Sequence, residues 1–474
     1  MRRCALARHL PMRQALVGLS LLLGASPGLA QEIQILVANK GTPAWANAQK
    51  QANGETVYAE RRLHKALDLA AELFNNKCPK CPEPRVRGMA PPPCDLKQFC
   101  HVNIKVAAGE YTGKGGKSGF SAPEIRNVDS TLRVLGGYDD AFTKRAPFDT
   151  PTIIRVGGTA FAFQGKDPAL KELYLSGFLI DIGDGNSYDG KTNSLLKGTS
   201  ANVPILTFGY LTTDRLVIAD NLFLNSSHKV AAPTIRAKSA QAEVVVRNNF
   251  LVNNIYAWQV SSASGKVSPG TYRFEGNSVL FNWPYNPDPT TSNPAALEIG
   301  NKYSASKVVL QDNLFAHNPG GAIYATQAEK VGPPLTIKNN LFFNNGGLFG
   351  ETEPGAAAVV GKFGAFKDRK IPWNVIGVDI LEDDYDFESD GNVVLDPKVP
   401  LVMVKPGFAN SGTVQAEQTV VNDVRAILGM NLQGGRVKIS NYAPRVAIDP
   451  KKLPFPEDPK AQKYGVRKDR VEQF

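Results

Sequence analysis

The sequence predicts an all-β solenoid in which each coil of about 27 residues stacks on the next through parallel strands. Three observations predict it. A short phrase recurs as "ADNLFLNSS", "RNNFLVNN", "EGNSVLFN", "QDNLFAHN" and "KNNLFFNN". Its leading asparagines, Asn221, Asn249, Asn277, Asn313 and Asn340, are spaced by 28, 28, 36 and 27 residues. Five residues further on stands a second column, Ser226, Asn254, Asn282, Asn318 and Asn345. Just before each phrase, apolar residues alternate (Leu216 and Ile218, Val244 and Val246, Tyr272 and Phe274, Val308 and Leu310, Leu335 and Ile337), the period of a strand with one buried face. A parallel neighbour needs a crossover, and the rest of each coil supplies it.

In chain order, residues 1–30 carry Arg2, Arg3, Arg8 and Arg13, then the apolar run "ALVGLSLLLGA", then Gly28 and Ala30. This is the pattern of a secretory signal peptide, and its apolar core is too short to span a bilayer. No later segment is apolar enough to span one, so a soluble chain, secreted or periplasmic, is expected. Loss of the four leader arginines lowers the formal charge from +10 to +6. That balance suits an acidic polysaccharide or an anionic cell-surface component as partner, and it equally suits no ligand. Nucleic acid is not expected.

Residues 31–101 open with a short strand, "EIQILVANKG", and a polar segment. An amphipathic helix is expected from about Tyr58 to Phe74, because Leu63, Ala66, Leu67, Leu69, Ala70 and Leu73 fall at helical spacing. A proline-rich loop follows with Cys78, Cys81, Cys94 and Cys100. Four thiols in an exported chain predict two disulfides, in one of three pairings; a four-thiolate zinc site is the alternative. Residues 102–350 hold the strands and the five phrases. Asparagine suits the turns between strands because it tolerates the left-handed conformation, and equivalent amides on successive coils can hydrogen-bond in a ladder. Residues 351–474, with an acidic loop "ILEDDYDFESDGN" and a tail rich in proline and charge, read as a C-terminal capping segment with a partly disordered end.

The helix "LHKALDLAAE", the strand into "VAAGEY", the turn "GGYDDAF" and the repeated "NNLFxN" coils together resemble the right-handed parallel β-helix, pectate-lyase-like superfamily of secreted bacterial proteins. The resemblance covers about residues 32–350. It implies a right-handed β-helix whose early helix caps the open end, and a protein that binds, cleaves or epimerises polysaccharide, or serves as an adhesin or shaft.

For lyase chemistry a cation must neutralise a uronate carboxylate and a base must take the C5 proton. Arg247, Glu275 and Lys338 stand two residues before the asparagine column, with Arg273 four before it, and these four are the candidate catalytic residues. A surface ion-pair ladder is the alternative for the same residues. Hydrolysis needs paired carboxylates. Glu243 and Glu275 fall in different columns and Glu298 in the inserted coil, so hydrolysis is the less favoured chemistry. Tyr256, Trp258, Trp283 and Tyr285 flank a proline-rich insertion and form a candidate sugar-stacking platform. Asp181, Asp184 and Asp189 in "DIGDGNSYDG" form a candidate calcium loop, although the spacing is not that of an EF-hand. The sequence therefore points to recognition, with lyase-type cleavage as the candidate reaction, of an acidic polysaccharide; the rival is a non-catalytic scaffold or adhesion protein.

Overall fold

The computed structural model describes residues 32–76, 78, 100–113, 118–163, 169–190, 193–197, 204–209, 211–231, 235–237, 239, 241–260, 270–283, 295–299, 307–318, 321–325, 335–345, 359–360, 375–376, 388–400 and 443–474. Tyr285, Cys81 and Cys94 lie outside the described residues. Within them the chain is a β-solenoid with three strand-bearing faces. The longest sheet is 13-stranded and runs from Val57–Glu60 through Glu32–Val37, His101–Ala107 and Arg126–Tyr138 to Leu335–Lys338 and Glu388–Asp390. A 9-stranded second sheet runs from Gly109–Tyr111 to Val393–Val394. On the third face, Phe120–Ala122, Phe161–Phe163 and Leu206–Thr207 pair, and single bridges through Ala231 continue to Trp258–Val260, Leu297–Ile299 and Ile323–Ala325. Neighbouring strands on all three faces pair in parallel.

The strands form where the alternation places them. Leu216, Ile218, Val244, Val246, Tyr272 and Phe274 point into the coil, where Phe223, Leu251, Val279 and Phe315 of the second sheet meet them in one core. Burial of this apolar surface is the main stabilising term.

The asparagine columns are buried ladders. Each side-chain amide of Asn221, Asn249, Asn277 and Asn313 donates to the Oδ1 of the next rung at 2.9–3.2 Å, and that Oδ1 also accepts the backbone N–H of the rung before it. The second column repeats this through Asn254, Asn282, Asn318 and Asn345. One expectation is refined. The left-handed residue is the one preceding each ladder asparagine: Asp220, Asn248, Gly276, Asp312 and Asn339 in the first column, Asn225, Asn253, Phe281, His317 and Asn344 in the second, all with φ between 49° and 62°. Turning and stacking are divided between adjacent residues.

Three differences from the expected elements have local causes. The helix begins at Leu63, because Val57–Glu60 is taken by strand pairing with Glu32–Val37. The polar segment before it contains a helix, α1 (Pro43–Gln51), opened by Thr42, whose hydroxyl accepts the Trp45 N–H at 3.2 Å, and by Pro43 at the first position. The coil also continues past residue 350: Glu388–Asp390 pairs with Thr336–Lys338, and Asn392 accepts from the Asn340 amide at 3.0 Å as a further rung. The second helix, α2 (Leu63–Asn76), buries Leu63, Ala66, Leu67, Ala70, Leu73 and Phe74 in the main core. Beside it a disulfide joins Cys78 to Cys100.

Residues 443–474 run back along the coils. They cover the outer side of the second sheet, where Leu222, Leu224, Phe250, Val252, Leu280 and Leu314 pack against Val446, Leu453, Ala461, Tyr464 and Val466. The left-handed asparagines grip this tail by its backbone: Asn225 pairs with Val446 at 2.7 and 3.0 Å, and Asn248 with Arg467 at 2.7 and 3.0 Å. At its end, Glu472 and Gln473 close over Arg145, which is fully buried and paired with Asp220 at 3.1 Å.

Candidate functional site

The four candidate catalytic residues lie on the outer side of the long sheet in the expected register, with Val245 opposite Arg273 and Arg247 opposite Glu275. They are not free. Arg273 pairs with Glu243 at 2.9 Å and with Glu275 at 3.1 Å, and the same chain of pairs continues through Arg215 and Glu172 to Arg133. Arg247 is held by the tail: it pairs with Glu472 and donates to the Tyr174 hydroxyl at 2.7 Å. Lys338 faces Glu388 at 3.8 Å. Alternating charges on neighbouring parallel strands neutralise one another, so this face presents a ladder of satisfied pairs.

Trp258 and Trp283 are fully buried, and Tyr256 is 2 % exposed. No ring among these three offers a face to a sugar, which removes them as a stacking platform in this structure. Trp258 fills the coil between Phe223 and Phe274 and donates its indole N–H to Tyr272 at 2.7 Å. Trp283 donates to the Asn253 side chain at 2.8 Å. Trp258 is buried because its ring points into the coil, and Trp283, with Tyr256, because it joins the outer cluster that residues 443–474 cover. Nor do they share a groove with the Arg273 cluster, which lies on a different face of the coil.

The calcium loop is closed by guanidinium groups. Asp181 is buried, accepts from Asn225 at 2.8 Å and pairs with Arg155 at 3.1 Å, while Asp184 pairs with Arg445 of the tail. Among the described residues no group of three or more His, Cys, Asp or Glu side chains is placed to hold a metal ion.

The third face brings together groups that sequence reasoning did not join. Tyr256 takes the left-handed conformation (φ 55°), with its N–H bonded to the Trp283 carbonyl at 2.8 Å, and its hydroxyl donates to Glu298 Oε2 from the next coil. Gln259 stands opposite Glu298 in the parallel pair Trp258–Val260 with Leu297–Ile299. Lys229 reaches in from the preceding coil, donating to Gln259 Oε1 at 3.0 Å and lying 5.4 Å above the Tyr256 ring. Burial pushes the Glu298 carboxyl up to about 7, against the opposing charge of Lys229. Burial also lowers the Lys229 ammonium, with Glu298 opposing. Glu298 and Tyr256 are buried, while Lys229 and Gln259 are partly buried. The ammonium and the amide thus lie on the outer side of the cluster and the carboxyl–phenol pair beneath them. The signal in the sequence was "AALEIG", which sets one acid among residues patterned for burial.

The chain matches no family model, no curated protein and no solved structure.

Proposed function

We propose that the protein is an exported, right-handed parallel β-helix of the pectate-lyase-like kind, with α2 as its N-terminal cap, that binds an acidic polysaccharide along its third face. The Lys229–Gln259–Tyr256–Glu298 cluster carries this reading. Two of the three faces are otherwise engaged: the long sheet by its ion-pair ladder and the second sheet by the C-terminal tail. Among the described residues, no hydrogen bond of the tail reaches the third face. Lys229 supplies the positive charge for a uronate carboxylate, Gln259 a hydrogen bond beside it, and the Tyr256–Glu298 pair is the natural place for proton transfer in a lyase-type reaction. The non-catalytic scaffold is a second reading, favoured by the ladder, since a face of mutually satisfied charges suits a shaft better than a catalytic groove.

Retention on immobilised alginate, pectate and glycosaminoglycans tests the proposal, with absorbance of unsaturated product followed in the same reactions. We expect binding to at least one of them and at least a tenfold loss in Lys229→Ala. Binding unchanged in that variant would exclude the third face, and binding without unsaturated product would favour the scaffold.

A further inference from the structure

A cavity of about 470 Å³ opens where α2 begins, walled by the turn after the first strand (Asn39 and Lys40), by Arg61 and Arg62, and by the turn that follows Tyr111. Its charge is one-sided. Lys40, Arg61 and Arg62 are all exposed, and none of them makes an ion pair or side-chain hydrogen bond among the described residues. The one carboxylate in the lining, Glu110, is engaged by Arg155 at 3.3 Å. The first turn of α2 contains no acidic residue, and the carboxylate just before it, Glu60, is shared between Lys65 and Arg61. This contrasts with the long sheet, where Arg133, Arg215 and Arg273 each have a glutamate within 3.4 Å. Three cations around one hollow repel one another; Glu60 offsets part of this at Arg61, and an anion seated among them relieves the rest.

We propose that this cavity is a binding site for a sugar-sized anion, its oxyanion group held by Arg61, Arg62 and Lys40. The hollow has the size of pockets that hold small organic molecules, roughly 300–1,000 Å³, which is far more room than a bare ion fills. A carboxylate, a phosphate or a sulfate on a sugar ring satisfies the same three cations, and arginine suits any of them through its paired N–H groups. The site lies away from the Lys229 cluster and does not depend on it.

Calorimetric titration of the full chain with glucuronate, glucose 6-phosphate, glucose 6-sulfate, inorganic sulfate and neutral glucose tests this. Saturable binding of at least one sugar anion is expected, weakening as salt is raised, with no binding of glucose. The double variant Arg61→Ala/Arg62→Ala is expected to lose at least tenfold in affinity, Lys40→Glu likewise, and Lys307→Ala, at an exposed lysine of the long sheet, none. Unchanged binding in both cavity variants, no binding of any sugar anion, or equal binding of inorganic sulfate would overturn the proposal. The unfolding midpoint of each variant, compared with that of the wild type, separates loss of the site from loss of the fold.

Discussion

Glu298 is the residue whose surroundings most alter its chemistry. Its carboxyl titrates at about 7 in the folded chain, above the ordinary 4.5, because burial penalises the charge more than Lys229 offsets it. Between those two values the native chain holds a proton that the unfolded chain has released. Folding stability from this group is therefore fully present below about 4.5 and is lost as pH rises through about 7. In Glu298→Gln that component disappears: urea midpoints measured from pH 4.5 to 8 should fall less steeply with rising pH than in the wild type. Parallel profiles would show that Glu298 is ionised throughout. The acid was visible in the sequence, but its role was not, since nothing in "ALEIG" says that a tyrosine from the preceding coil will reach it.

At the scale of the coil, the element that matters is the asparagine ladder. Asn277 is fully buried, and its side chain makes four bonds: its Oδ1 accepts from the backbone and side chain of Asn249, and its amide donates to Val246 and Asn313. Replacing it by alanine leaves buried donors and acceptors without partners, at roughly 1–3 kcal/mol for each one that water cannot reach. Asn277→Ala should cost several kilocalories per mole in urea unfolding, and more than Asn392→Ala, because Asn277 is fully buried whereas Asn392 is 8 % exposed. Equal losses would mean that depth in the ladder does not matter. The ladder was legible because its period survives an insertion of any length: the 36-residue coil keeps Asn277 and Asn313 in contact. The rung at Asn392 was hidden by the same tolerance, since 52 residues separate it from Asn340.

Over the whole molecule, the tail decides which surfaces are available. The outer side of the second sheet is apolar along the coils, through Leu222, Phe250, Leu280, Leu314 and Leu341, and residues 443–474 cover it. A chain ending at residue 442 would expose this strip, and contiguous apolar surface of that kind drives association. We expect such a chain to form oligomers in light scattering and to bind a hydrophobic dye, whereas the full chain should do neither at the same concentration. A monodisperse truncated chain that binds no dye would show that the tail is dispensable. The sequence reading expected this segment at the end of the solenoid; its position along the side follows from the outward leucines and the left-handed asparagines, which together form an apolar strip edged with backbone-binding amides.

The sequence by itself determined the solenoid. Period-two strands, buried asparagines at fixed intervals and the split between core and turn are properties of neighbouring residues and of a repeat, and both are written linearly. Only the tertiary structure decided which charges are spent on one another and which remain available. Arg273 and Lys229 look alike as letters. One sits between two glutamates contributed by its own and an adjacent strand, and the other stands over a buried tyrosine and a protonatable acid, because strand register and the path of a distant tail set their partners.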